Sequence, residues 1–199
     1  MNKYAPVFFI AILVACTPAK KESTTAVEIS GPDYVDSVNN GWIAKDTLKG
    51  SPVRELTDSI GNLQISIRYG SPGVKGRIIW GGLVTFDNVW VSGAHKATAI
   101  AFSKDVIING TKVARGKYAF FTIPGREEWT LILNKNYEQH LADKYKPEED
   151  IVRINVKSEK LSQPVQRLTY RVSARDAKSG LITLSWDSLS VSLPVRVSN

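Results

Sequence analysis

One cysteine, one methionine and two histidines among 199 residues leave the chain little soft or titratable chemistry. A lone cysteine excludes a disulfide framework and a cysteine-built metal cluster, and two histidines leave a zinc site short of ligands. No metal or cofactor is expected. Neither Gly-x-Ser-x-Gly nor His-Glu-x-x-His occurs, and no nucleophile, base and orienting carboxylate read together. The longest apolar run, Tyr4–Ala15, has 12 residues, whereas spanning a bilayer takes about 20. Charge is not confined to one sign. Lysine and arginine number 26 against 19 acids, a formal net charge of +7 that falls by one if Lys3 is removed. These charges are scattered, without an RNP-like, helix-turn-helix or zinc-finger pattern, so nucleic acid is not an expected partner.

What is present reads as a folded protein, 43% apolar and 23% charged, behind a processed N-terminus. Met1-Asn2-Lys3 is a short positive segment, Tyr4–Ala15 has the length of a secretory core, and Leu13-Val14-Ala15-Cys16 resembles the bacterial lipobox. That chemistry needs a thiol to receive diacylglycerol and a small residue before it for the peptidase. Residues 1–15 are expected to be a lipoprotein signal peptide, with Cys16 the acylated anchor. Residues 16–50 are then expected to form a tether and arm, in which Trp42, Ile43 and Leu48 could pack on the domain as a short helix or as an extended arm. No aspartate follows Cys16, so the expected address is the outer membrane, with the leaflet open.

From Ser51 to Asn199 the sequence reads as strands and turns. Leu63, Ile65, Ile67 and Tyr69 alternate with polar residues, and Asn109-Gly110 between Val106-Ile107-Ile108 and Thr111-Lys112-Val113 is a type I′ hairpin signal. Tyr118–Ile123 ends at Pro124-Gly125. Alternation returns at Trp129/Leu131/Leu133, Val152/Ile154/Val156, Leu168/Tyr170/Val172, Ile182/Leu184/Trp186 and Val191/Leu193/Val195/Val197. Only Tyr137–Lys144 reads as helical. One buried and one wet face per strand predicts an all-β, antiparallel β-sandwich or jelly roll, with a closed barrel as runner-up.

Two segments between strands are distinctive: Tyr69–Val84, containing Gly73-Val74-Lys75-Gly76-Arg77 and Trp80-Gly81-Gly82, and Val89-Trp90-Val91-Ser92-Gly93-Ala94-His95-Lys96-Ala97-Thr98. With Phe120-Phe121-Thr122-Ile123-Pro124 and Trp129–Asn134, they resemble the family catalogued as domain of unknown function 2911, over roughly Ser51–Val195. The resemblance implies an exported, often lipid-anchored all-β protein of Bacteroidota type, and it implies no activity. Members commonly carry serine and arginine where this chain has Gly70 and Ser71. They carry arginine, threonine, asparagine and glutamate where it has Val91, Ser92, His95 and Lys96. The glycine and tryptophan frame is kept while those polar groups are changed.

Lys75, Arg77, Trp80, Trp90, His95 and Lys96 are the candidate contact residues. Two cations in a glycine-rich loop could receive an anion, though the loop lacks a Walker ending and solvation of a tight crossover is the plainer reading. Trp80 and Trp90 follow loops and could stack on sugar rings, whereas Trp129 and Trp186 fall in register with core aliphatics. His95 could shuttle a proton or bind metal; His140 sits in a polar stretch. The carboxylates Asp87 and Glu127-Glu128 make a weak glycosidase pair. Four Asp-Ser/Thr-aliphatic triplets resemble a Bacteroidota O-glycosylation motif and mark Ser37, Thr47, Ser59 and Ser188, although aspartate before serine or threonine also serves turns and helix caps. The expected protein is a lipid-anchored envelope component that binds a protein partner or a glycan without catalysis. The alternatives are an envelope hydrolase with His95 as general acid/base, and a structural subunit marked by a large apolar patch.

Overall fold

The computed structural model describes Met1 and residues 33–198, so the expected signal peptide after Met1, Cys16 and the expected tether through residue 32 lie outside the described residues. Residues 32–199 form one compact unit. It opens with a short helix, α1 (Tyr34–Asn39), which Asp33 caps by accepting the Asp36 amide at 2.9 Å. Val35 and Val38 are its buried face, and the helix packs on the second sheet.

Ten strands follow: β1 (Val53–Ile60), β2 (Leu63–Gly70), β3 (Thr98–Phe102), β4 (Val106–Ile108), β5 (Thr111–Val113), β6 (Gly116–Ile123), β7 (Glu128–Asn134), β8 (Asp150–Lys157), β9 (Glu159–Ala174) and β10 (Ser179–Val197). They form a six-stranded sheet, β1-β2-β3-β6-β7-β8, and a four-stranded sheet, β5-β4-β10-β9, with every pairing antiparallel. The sheets stack as a sandwich and do not close into a barrel. Each alternating set named from the sequence points inward: Leu63, Ile65, Ile67 and Tyr69 meet Leu168, Tyr170, Ile182, Leu184 and Trp186 in one core. Asn109 (φ +47°) and Gly110 (φ +81°) make the expected I′ turn between β4 and β5.

Two details depart from simple alternation. In β10 the inward residues are even-numbered through Trp186 and odd-numbered from Val191, because the segment folds back on itself at Asp187 (φ +51°): the Val197 amide donates to the Lys178 carbonyl at 2.7 Å, and the Thr183 and Ser192 hydroxyls meet at 2.9 Å. With 178 beside 197 and 183 beside 192, even residues of the first limb share a face with odd residues of the second, so both limbs face the core. Tyr137–Lys144 is not a helix. Its backbone bonds to the β2–β3 loop instead of to itself: the Ala97 amide donates to the Gln139 carbonyl at 3.0 Å and the Leu141 amide to the His95 carbonyl at 2.6 Å. Leu141 takes φ +51°, which no helix accommodates.

The two ends of the sandwich differ. At one, Val53 starts β1 opposite Gly70, the last residue of β2, and Asp33 pairs with Arg54 at 2.7 Å. The arm 40–52 and the long β2–β3 loop, residues 71–97, close this end. They are tied by Ser71 N–H to Pro52 carbonyl (2.9 Å) and by Lys75 to the Leu48 carbonyl. The other end gathers the turns at 61–62, 103–105 and 175–178 with the C-terminus, through Val197 N–H to Lys178 carbonyl (2.7 Å) and Ser198 N–H to Asp105 carbonyl (2.9 Å). No helix among the described residues is long and apolar enough to cross a membrane.

Candidate functional site

The six candidate contact residues fall into three settings rather than one rim. Lys75 donates to the Leu48 carbonyl, and Arg77 to the carbonyls of Gly73 and Val74, so both are exposed cations bound to neutral acceptors. Trp80 and Trp90 join Trp129 and Trp186 in an indole cluster. The Trp80 ring stands edge-on to Trp129 (4.8 Å, 67°) and to Trp186 (5.8 Å, 80°), while Trp90 stacks on Trp186 (5.9 Å, 22°). The Trp90 indole N–H donates to the Gly93 carbonyl at 3.1 Å. Those of Trp80, Trp129 and Trp186 find no acceptor among the described residues, and edge-to-face packing sets neighbouring π faces around them. Faces engaged in this way do not make a sugar platform.

His95 and Lys96 form the third setting, at the mouth of a groove on the outward face of the six-stranded sheet. The period-two pleat that sends Ile67, Ile100 and Phe120 inward sends Arg68, Ala99 and Ala119 outward in one row across β2, β3 and β6. Arg68, Ala97, Ala99 and Lys117 line the groove, and Ala101 stands opposite Lys117 in the next row. Three alanines at successive outward positions leave a low floor between long cationic neighbours. Beyond it the same face is covered. Tyr137, Ala142 and Tyr145 of the β7–β8 loop pack on Val91, Ala119, Phe121 and Ile132 as a second small core.

That loop makes the groove's far wall with Tyr137, Gln139, His140, Asp143 and Lys144, enclosing about 700 Å³. Smaller hollows of about 220 and 180 Å³ continue it past Ser66 and past His95, sharing Arg68. The wall is held firmly. Asn134 donates to the Lys146 carbonyl (3.0 Å) and to Asp150 (2.8 Å), and the Tyr145 hydroxyl donates to Asp150 at 2.7 Å. Burial, then the Asp150 carboxylate, push the Tyr145 hydroxyl up to about 12, so it stays a donor. Gln139, 3% exposed, donates to the Asn136 carbonyl, and its Oε1 is buried with no donor among the described residues.

Four cations line the groove, Arg68, Lys96, Lys117 and Lys144, against Glu138 and Asp143. Arg68 also meets Glu55 at 3.0 Å, Lys117 lies 4.9 Å from the Tyr137 ring centre, and His140 Nδ1 lies 3.7 Å from Asp143. Both members of the His140–Asp143 contact are exposed, which makes it weak. No carboxylate or hydroxyl hydrogen-bonds to His95 among the described residues, which leaves it without the orienting partner a general acid/base requires. No cluster of three or more histidine, cysteine or acidic side chains able to hold a metal occurs among the described residues.

Sequence reasoning missed Arg68, Lys117, Tyr137 and Lys144. Arg68 and Lys117 were legible only as outward members of alternating strands, and no local signal showed which loop would lie beside them. The four glycosylation candidates are spread. Thr47 and Ser59 are exposed, Ser37 is a half-buried residue of α1, and the Ser188 hydroxyl donates to Asp187 at 3.0 Å. The other three preceding aspartates also have structural partners: Asp36 pairs with Arg54, Asp46 pairs with Arg167, and Asp58 accepts the Ser59 amide.

A family model described as Protein of unknown function (DUF2911) matches residues 51–195. No curated protein and no solved structure matches the chain.

Proposed function

The chain belongs to the DUF2911 family of proteins of unknown function, and from that premise we propose that it is a lipid-anchored protein of the bacterial envelope that binds an acidic glycan. The lipobox-like Leu13-Val14-Ala15-Cys16 supports the anchor, and threonine instead of aspartate after Cys16 supports the outer membrane as its address. The observation that carries the binding reading is the groove, with Arg68, Lys96, Lys117 and Lys144 along a floor of alanines. A linear polymer fits an open trough better than a compact ligand does. The trough has no deep apolar pocket for peptide side chains, which favours a chain of polar rings bearing carboxylates over an acidic peptide. Cations placed along such a path add electrostatic attraction that salt weakens.

Two measurements test this. Intact mass of protein extracted from native membranes is expected to show acyl groups on Cys16, and an unmodified mass overturns the anchor. Retention on immobilised polygalacturonate is expected to fall sharply for Arg68→Glu/Lys117→Glu but not for Lys104→Glu/Arg196→Glu, which changes net charge equally away from the groove. Equal loss in both variants reduces the attraction to bulk charge and overturns the site.

A further inference from the structure

Apart from Met1, five large apolar side chains are exposed among the described residues: Trp42, Val53, Ile78, Leu83 and Leu141. Four of them, Trp42, Val53, Ile78 and Leu83, belong to segments that close one end of the sandwich. Trp42 lies in the arm, Val53 begins β1, and Ile78 and Leu83 sit together in the β2–β3 loop, where the Leu83 amide donates to the Ile78 carbonyl at 2.9 Å. The fifth, Leu141, belongs to the β7–β8 loop beside the groove, where its amide donates to the His95 carbonyl. Ile78, 78% exposed, is the most prominent. The turns at the opposite end, Gly61-Asn62, Ser103-Lys104-Asp105 and Arg175–Lys178, carry only small or polar side chains. Isolated exposed leucines need no explanation, but four large apolar side chains gathered at one end do.

Charge follows the same division. The arm and the β2–β3 loop hold five cations, Lys45, Lys49, Lys75, Arg77 and Lys96, against two carboxylates, Asp46 and Asp87. Asp46 is already neutralised by Arg167, and none of the five cations is paired with a carboxylate among the described residues. Lys75 and Arg77, which immediately precede Ile78, hydrogen-bond only to neutral carbonyls. This is also the end at which the polypeptide from Cys16 joins the domain, at Asp33 beside Arg54. Sixteen residues separate Cys16 from Asp33, a reach of at most roughly 55 Å when extended.

We infer that this end of the sandwich docks on a lipid bilayer with anionic headgroups, Ile78 and Leu83 entering the headgroup layer and Lys75 and Arg77 meeting phosphate. The inference rests on the anchor at Cys16. An apolar tip next to cations that have no carboxylate partner suits the interfacial region, where apolar burial and attraction to anionic lipid add. The groove faces sideways from that end and stays open to solvent polymer.

The test uses the acylated full chain in vesicles of phosphatidylglycerol and phosphatidylethanolamine, with an NBD fluorophore at Ile78→Cys or at Asn62→Cys on the opposite end. Both positions are exposed, so neither change removes a packed side chain. Quenching by aqueous iodide is expected to fall severalfold at position 78 on moving from detergent to vesicles and to stay unchanged at position 62. Lys75→Glu/Arg77→Glu is expected to restore quenching at 78. An acylated chain equally quenched at both positions overturns the docking alone. Label on Cys16 itself shows a free thiol and overturns the anchor, and the docking with it.

Discussion

Asp46 and Arg167 stand 121 residues apart in the chain and meet as a buried ion pair, Arg167 Nε 2.9 Å from Asp46 Oδ2 with the two side chains 0% and 7% exposed. The guanidinium also donates to the carbonyls of Leu48 (2.6 Å), Ser71 (3.0 Å) and Gly50 (3.3 Å), and Asn39 brackets the Arg167 backbone through its amide and carbonyl. One side chain on β9 thus fastens α1, the arm and the root of the β2–β3 loop. Everything displayed at that end depends on this fastening.

Asp46→Asn removes the counter-charge and leaves a guanidinium buried without it. Such a change costs about 3–5 kcal/mol. Neutralising the exposed pair Glu55–Arg68, 3.0 Å apart with side chains 72% and 45% accessible, is expected to cost under about 1 kcal/mol. Urea midpoints of Asp46→Asn and Glu55→Gln make the comparison. Equal shifts would contradict the role of the buried pair.

This pair also marks where sequence reading stops. Leu168, Tyr170 and Val172 announce their inward face by period-two alternation, and Asn109-Gly110 announces its turn, because both signals are local. Arg167, one residue before Leu168, lies on the opposite face of that strand, and alternation makes it a solvated position. It is buried because α1 and the arm fold back across it, a contact set by partners more than a hundred residues away. The groove is hidden for the same reason. Alanines at 97, 99 and 101 read as unremarkable strand residues until the β7–β8 loop is placed along them. The helical expectation for Tyr137–Lys144 fails because those amides and carbonyls find partners at Ala97 and His95. The short helix lies at Tyr34–Asn39, capped by Asp33, and not at Trp42, Ile43 and Leu48.

The alkaline limb of stability should depend on Tyr145. Its hydroxyl is raised from 10.0 to about 12, first by burial and then by Asp150. The folded state therefore favours the protonated form, and its contribution is complete below the unfolded value near 10 and is lost as pH climbs toward 12. Tyr145→Phe is expected to lower stability at neutral pH, where the bond to Asp150 is lost, and to flatten the decline over that alkaline interval. Some slope remains, since burial raises Tyr118 and Tyr170 as well. Urea melts of both proteins across the interval decide it, and parallel curves would count against the assignment.

The groove's small floor offers a test that leaves charge untouched. Ala101 is a half-buried outward residue of β3, cross-strand from Lys117, and lines the stretch of groove shared with Arg68. A leucine there raises the floor between the cations while keeping every charge in place. Long-range attraction to a polyanion is then unaltered, and only close seating against the floor is lost. If the cations act as an aligned set along a trough, Ala101→Leu should weaken polygalacturonate binding by roughly tenfold, about 1.4 kcal/mol. The cost should appear mainly in dissociation, because steering sets the association rate and is unchanged. Thermal melting of the variant checks that the outward leucine leaves the sandwich intact. An unaltered dissociation rate in a folded variant would mean that the polymer is held by diffuse charge above the sheet, and that the alanines are simply the residues that let β3 lie flat between β2 and β6.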